Sequence, residues 1–180
     1  MSLAEQWKYE RAYLLNDYKM GAQRHQYALL DVGTMQPGRT YLDVGCGRGE
    51  MLDHARDLGL LVTGIETVPE LCDGEAVVHG DACALPFEDD QFDYLTCYDV
   101  LEHLPPGTEQ EALDEFRRVC RGVVFLSTND KPSHLPDGTD LHVNRRPLAH
   151  WHADIKARWH LADFHYAGTH GDWHWRCPSS

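Results

Sequence analysis

Between positions 43 and 49 the chain reads Asp43, Val44, Gly45, Cys46, Gly47, Arg48, Gly49. Three alternating glycines let a backbone turn tightly and approach a ligand with no side chain in the way. Downstream lie three carboxylates and an imidazole: Glu66, Asp81, Asp99 and His103. A carboxylate roughly 20 residues beyond a glycine loop is placed to accept hydrogen bonds from ribose hydroxyls. An imidazole can take a proton near neutral pH. The residue types therefore point to a cofactor that carries a nucleoside and to proton chemistry on a second substrate. The glycine string by itself also fits a helix-capped phosphate site, a dinucleotide fold or a plain turn. No Gly-Lys-Ser/Thr follows, which excludes a nucleoside triphosphate loop. A dinucleotide loop places its glycines first, third and sixth. Here they stand first, third and fifth, and the sixth position is Glu50. A carboxylate at a helix N-terminus repels a pyrophosphate, whereas a cofactor without phosphate tolerates it.

Strands and helices must hold these groups. Residues 40–44 form a short apolar run that feeds directly into the loop. Residues 50–58 place Met51, Leu52, Ala55 and Leu58 on one helical face, and Gly59 stops that helix. Further strands are predicted at 60–65, 76–78, 92–98 and 123–127. A helix is predicted at 107–119, with Thr108 and Glu111 as a capping box. Residues 3–35 read as helix divided near Gly21, and Pro37 with Gly38 as a turn. Residues 128–146 read as loop, and 147–159 as a helix opened by Pro147. Residues 162–167 and 172–177 close the chain as a hairpin, because the short turn at 168–171 cannot return a parallel strand. Alternating strands and helices are the signature of a doubly wound α/β sheet.

Length and composition narrow the class. At 180 residues the chain is expected to form one domain. Within it, residues 1–36 are N-terminal helices over the cleft, 37–128 the cofactor-binding core, and 129–180 a substrate-side loop, last helix and hairpin. Residues 41–120 hold 4 basic and 19 acidic residues, which argues against a groove that tracks nucleic-acid phosphates. The six cysteines include no Cys-x-x-Cys pair and read as reduced thiols. With a polar, charged start and no apolar run of 18 residues, they lead to the expectation of a cytoplasmic protein off the membrane.

Four segments together resemble the class I S-adenosylmethionine-dependent methyltransferases of the methyltransferase domain 11 type. They are LDVGCGRGE, GIE at 64–66, GDACALPFEDDQFDYL at 80–95, and YDVLEH at 98–103. The likeness covers about residues 39–128. It implies a Rossmann-like, doubly wound, seven-stranded, mostly parallel α/β sheet in order 3-2-1-4-5-7-6, with S-adenosyl-L-methionine as cofactor. It also implies a site. Gly45, Gly47 and Gly49 form the loop beneath methionine and ribose, and Asp43 orients it beside the methionine ammonium. Glu66 holds the ribose hydroxyls, and Thr67 and Val68 line one face of the adenine. Asp81 accepts from the adenine amine, next to the backbone of Ala82. Tyr98 and Asp99 border the methionine and the methyl-transfer opening. Arg48 receives no ligand role.

Methyl transfer from a sulfonium is a displacement in which alignment and exclusion of water do much of the work. A base is needed only where the acceptor must lose a proton. His103 is the candidate, with Asp99 beside it. Tyr9, Tyr13, Tyr18, Lys19 and Arg24 offer lids or anchors over the acceptor, and Lys131, Arg145 and Arg146 the positive charge near it. Of 12 histidines, eight lie beyond residue 130, together with four of the five tryptophans. They read first as a polar and aromatic packing seam and second as a pocket for an aromatic or anionic acceptor. No metal ligand is assigned, since no His-Glu-x-x-His pattern occurs. The expected partner is a small or medium acceptor methylated at O, N or C, with the chain a monomer or homodimer. Two other readings stay open: a methyltransferase acting on a nucleotide or nucleic-acid end, and a non-catalytic binding protein of the same fold. Against the first stands the absence of an Asp/Asn-Pro-Pro-Tyr/Trp string after residue 98; against the second, the intact Gly45, Gly47, Glu66 and Asp81.

Overall fold

The computed structural model describes residues 3–14, 22–166 and 172–179. Seven strands form one sheet: β1 (Thr40–Val44), β2 (Leu61–Glu66), β3 (Val77–His79), β4 (Phe92–Tyr98), β5 (Cys120–Asn129), β6 (Asp163–Tyr166) and β7 (Asp172–Pro178). Their order is 3-2-1-4-5-7-6. The first five strands pair in parallel, and β7 runs antiparallel to both β5 and β6. Order and direction are those expected from the sequence. Five helices flank the sheet: α1 (Leu3–Leu14), α2 (Ala22–Gly33), α3 (Glu50–Asp57), α4 (Glu109–Val119) and α5 (Leu148–Arg158). The expected divide at Gly21, the expected anchors Tyr18 and Lys19, and the turn at 168–171 lie outside the described residues.

The strand period of two sorts side chains between two cores. Leu42 and Val44 of β1, Leu95 and Cys97 of β4, and Val124 and Leu126 of β5 face one layer with Leu113, Phe116, Trp151 and Trp159 of the α4 and α5 side. Tyr41, Tyr98 and Phe125 face the other layer, with Ala28 and Val32 of α2 and Met51, Leu52 and Ala55 of α3. A sheet covered on both faces explains why the β5 sequence is apolar without alternation.

One local expectation is corrected. Thr108 and Glu111 make no capping box: Thr108 sits at φ −92°, ψ −9°, not in the extended backbone that an N-cap needs. Its hydroxyl donates to the Pro105 carbonyl at 2.9 Å. Glu109 turns back instead, and its carboxylate accepts the Gly107 N–H at 2.7 Å.

The same carboxylate organises the segment between β5 and α5. Glu109 also accepts from the Asn144 side-chain amide at 3.0 Å and from Arg146 at 2.9 Å, while Arg146 reaches Asp154 of α5 at 2.7 Å. The Asn144 N–H donates to the Glu102 carbonyl at 2.9 Å. A stretch without hydrophobic periodicity is thereby fixed against the turn that follows β4.

Candidate active site

Strands β1 and β4 are neighbours whose following connections run to opposite sides of the sheet, so their carboxyl ends part and leave a crevice. A cavity of about 320 Å³ opens there. Its floor is Asp43, Gly45, Cys46 and Gly47, continued by Glu50 and Met51 at the start of α3. The end of β4 supplies Tyr98, Asp99 and His103. Asn129 at the end of β5 and Lys131, Pro132, Ser133 and His142 from the segment after it form the wall. Tyr13, His25 and Arg48 lie on the helical side.

The glycine loop is built for close approach. Gly45 and Gly47 have φ of 73° and 55°, in the left-handed region. A methyl on Gly45 would stand 2.4 Å from Cγ2 of Val100, and one on Gly47 2.7 Å from the Tyr13 hydroxyl. Asp99 adopts φ of 57° where β4 ends. Its N–H donates to the Ser127 hydroxyl at 3.2 Å, which helps hold a conformation that only Gly, Asn and Asp adopt readily. Sparse backbone conformations of this kind gather at ligand sites.

Two buried carboxylates set the electrostatics. Asp43 accepts from the Thr96 hydroxyl at 2.7 Å, and Thr96 shares a 2.5 Å hydrogen bond with the Tyr41 hydroxyl. Burial, helped by the charge of Glu66, pushes the Asp43 carboxyl up to about 7 even though the Thr96 and Tyr41 bonds oppose the rise. Glu66 closes β2 with its carboxylate turned to the loop. It accepts the N–H groups of Gly47 at 2.9 Å, Thr67 at 2.8 Å and Val68 at 3.1 Å. Burial raises its pKa as well, against the pull of those three bonds.

Six of the twelve residues expected at the site line the cavity: Asp43, Gly45, Gly47, Tyr98, Asp99 and His103. Gly49 caps α3 in the left-handed conformation at φ 80°. Glu66 supports the loop from behind. Thr67, Val68, Asp81 and Ala82 do not line the cavity; Tyr9 and Ala12 of α1 pack with Val68, Leu135 and Leu141. Asp81 accepts the Cys83 N–H at 3.0 Å in its own turn. The Tyr9 hydroxyl donates to the His103 carbonyl at 3.2 Å, and Arg11 pairs with Asp137 at 2.6 Å.

Several lining residues carried no signal of their own. Arg48, given no role, faces the cavity with its guanidinium 5.7 Å from the centre of the Tyr13 ring. Asn129 ends β5, and Ser133 and His142 come from the segment after it, where no motif marks them. The histidines divide into two groups. His152 and His174 serve the packing seam: His152 Nδ1 accepts from the Trp175 indole at 3.2 Å, and His174 stacks on Tyr98 at 5.2 Å between ring centres. His25, His103 and His142 line the cavity.

The residues present fit S-adenosylmethionine. Gly45 and Gly47 present no side chain of their own to the cavity, and the Tyr13 hydroxyl stands over Gly47. The buried Asp43 and Glu66 carboxylates, held by Thr96 and by the Gly47, Thr67 and Val68 N–H groups, suit a ligand that brings an ammonium, a sulfonium and two hydroxyl donors but no phosphate. A parallel sheet in this order, with its crevice between β1 and β4 and a glycine loop over an acid pair, is the class I S-adenosylmethionine-dependent methyltransferase fold. Residues 42–126, a little under half of the chain, match the family model of the methyltransferase domain.

A ubiquinone biosynthesis O-methyltransferase of Pseudomonas paraeruginosa is 32% identical over 137 residues, which cover 69% of this chain and 53% of that protein. The chain thus spans about half the length of the curated relatives it matches. The magnesium protoporphyrin IX methyltransferase of Synechocystis PCC 6803, solved with bound SAH, superposes with a TM-score of 0.68 at 17% identity over 98% of this chain and 94% of its own. The PH0226 protein of Pyrococcus horikoshii OT3 gives 0.66 at 18% identity over 89% of this chain and 91% of its own. Among the described residues no helix is long and apolar enough to cross a membrane.

Asp43 yields a pH-dependent prediction. The folded state holds its proton more tightly than an unfolded chain, whose ordinary value is 3.8. The stability this contributes is complete below that value and is lost as pH rises to about 7. Above it the fold carries a buried charge among Tyr41, Cys46, Glu66 and Thr96. Asp43→Asn removes that charge and keeps the shape. At about pH 8 the variant is expected to melt several degrees above wild type, from roughly 2–4 kcal/mol of relieved desolvation. Its affinity for S-adenosylmethionine is expected to fall about tenfold or more, through loss of a charged partner for the ammonium. Scanning fluorimetry and calorimetry across pH check both; a variant that binds the cofactor as wild type does removes Asp43 from the ammonium.

Proposed function

We propose that the protein transfers the methyl group of S-adenosylmethionine to a hydroxyl of a small or medium-sized acceptor. The carrying observation is that one cavity joins the glycine loop and Asp43 at one end to Asp99 and His103 at the other. The cofactor supplies an already activated methyl on a sulfonium. The chain's own residues do the rest. Gly45 and Gly47 admit the methionine and ribose portion, Asp43 faces the ammonium, and Glu66 stiffens the loop and offers its carboxylate to the ribose. Tyr98 and Asp99 border the methyl path.

His103 stands at the acceptor end. Its Nδ1 lies 2.9 Å from the Leu141 carbonyl, which can only accept, so Nδ1 carries the hydrogen and Nε2 carries the lone pair. In this reading that nitrogen takes the proton of the acceptor hydroxyl. Arg48 gives this cavity a positive side suited to an electron-rich or anionic acceptor, while Lys131 beside it is paired with Asp172 at 2.7 Å. The ubiquinone O-methyltransferase relatives support oxygen as the receiving atom. Thr67, Val68, Asp81 and Ala82 meet the adenine once α1 lifts, which breaks the Tyr9 contact to His103 and the Arg11 pair with Asp137.

Six free cysteines accord with a reducing cytoplasmic setting, and we place the protein there as a monomer or homodimer. Incubation with methyl-labelled S-adenosylmethionine and a panel of phenols, carboxylates and amines tests the reading. Label is expected on a hydroxylated acceptor; label confined to amines or to oligonucleotides contradicts the acceptor assignment.

A further inference from the structure

We infer that the acceptor is a hydroxy acid and that Arg48 binds its carboxylate; the inference rests on the methyltransferase reading of the same cavity. Arg48 stands in the glycine loop and faces the cavity. Among the described residues its guanidinium makes one hydrogen bond, from Nη2 to the Tyr13 carbonyl at 3.3 Å, and it lies 5.7 Å from the centre of the Tyr13 ring. No carboxylate of the described residues pairs with it. A guanidinium holds five N–H donors in a rigid planar fork. Tyr13 fixes one arm of that fork and leaves the rest to a ligand.

The cations on the neighbouring elements differ. Arg11 of α1 pairs with Asp137 at 2.6 Å, and Lys131 on the opposite wall with Asp172 at 2.7 Å. Arg145 lies 3.6 Å from Asp140, and Arg146 pairs with Glu109 at 2.9 Å and with Asp154 at 2.7 Å. The chain has 29 acidic residues against 16 basic ones, so an internal partner is easy to supply, and the fold supplies none to Arg48. Asp43, Glu50 and Asp99 line the same cavity. One guanidinium among such groups balances a single negative charge, which fits a carboxylate and not a phosphate dianion.

Helix α1 relates this group to the acceptor hydroxyl. Tyr9 meets the His103 ring edge on, with centres 5.4 Å apart, and donates to the His103 carbonyl. Tyr13 stands four residues further along the same face and meets Arg48. Four residues of helix advance about 6 Å. Tyr9 and Tyr13 thus mark two stations, with His103 at one and Arg48 at the other. An acceptor that spans them gives its hydroxyl to His103 and its carboxylate to Arg48. Tyr13, Tyr98, His103 and His142 line the cavity with aromatic rings, which suits a flat body between the two groups.

The test uses the full chain saturated with S-adenosylhomocysteine and titrated by calorimetry with 4-hydroxyphenylacetate and 4-hydroxycinnamate, and with the methyl ester of each. At least one acid is expected to bind, and its ester about 10- to 100-fold more weakly. Arg48→Met is expected to abolish that difference and Arg48→Lys to restore part of it, with affinity for S-adenosylhomocysteine near that of wild type. The comparison of acid with ester on wild type does not depend on a variant folding. Failure of both acids to bind, an ester that binds as well as its acid, or a difference that survives in Arg48→Met overturns the inference. So does a loss of S-adenosylhomocysteine affinity in Arg48→Met with no change for the acid, which would give Arg48 to the cofactor's own carboxylate. If wild type binds S-adenosylhomocysteine while the acids fail, this inference alone falls; if it does not bind S-adenosylhomocysteine, the methyltransferase reading falls as well.

Discussion

His103→Ala is expected to lower methyl-transfer turnover by about 10²–10⁴-fold and to leave affinity for S-adenosylmethionine almost unchanged. The separation follows from geometry. His103 lies at the acceptor end of the cavity, between Tyr9 and His142, whereas the glycine loop and Asp43 form the other end. The lost group acts on the acceptor, so the loss appears in turnover and not in cofactor binding. His103→Gln keeps a polar group of similar size without a basic nitrogen and should lose nearly as much. If His103 were only a wall, alignment would carry the reaction and both variants would stay within about tenfold of wild type. Rapid-quench turnover with an identified acceptor, paired with cofactor calorimetry, checks this.

The second large effect is expected at Glu66. Glu66→Ala should weaken cofactor binding by about 1–3 kcal/mol, roughly 5- to 150-fold. Two causes add. The carboxylate proposed to meet the ribose is lost, and the N–H groups of Gly47, Thr67 and Val68 lose their acceptor. Removal of a buried acid whose pKa is raised by burial also relieves a desolvation cost, so the folded state should not suffer in proportion. Glu66→Gln keeps one acceptor oxygen and should fall between wild type and Glu66→Ala. Wild-type affinity in both variants would remove Glu66 from the cofactor site. Calorimetric titration with S-adenosylhomocysteine, alongside thermal melts, measures both sides of this balance.

The parts legible in the sequence are those fixed by local pattern. Residues 40–44 and 92–98 end as strands at the expected residues, because both are apolar or β-branched runs stopped by a loop. Gly45 and Gly47 announce themselves because no other residue takes positive φ so cheaply where a methyl would meet Val100 or Tyr13. His103 and Asp99 follow from their place after β4. The opposite wall was legible only in part. The loop after β5 and Lys131 read as lying on the substrate side, but Ser133 and His142 sit in a segment with no period, positioned by distant partners such as Glu102, Glu109 and Asp172. Nothing local in the sequence encodes such pairings. Thr108 shows the same limit on a small scale: a residue of the right type failed to cap because its backbone is not extended. The adenine end differs for a tertiary reason too, since α1 packs on Val68, one of the residues that motif likeness assigns to the base.

The central claim is that this crevice takes a methionine-linked nucleoside and not a dinucleotide. Calorimetric titration of the full chain with S-adenosylhomocysteine, and in parallel with a nicotinamide dinucleotide, tests it most directly. The account predicts saturable one-to-one binding of S-adenosylhomocysteine that Asp43→Asn and Glu66→Ala weaken, and no binding of the dinucleotide, whose pyrophosphate would face Glu50 and the buried acid pair. Binding of the dinucleotide in preference, or of neither, would contradict it.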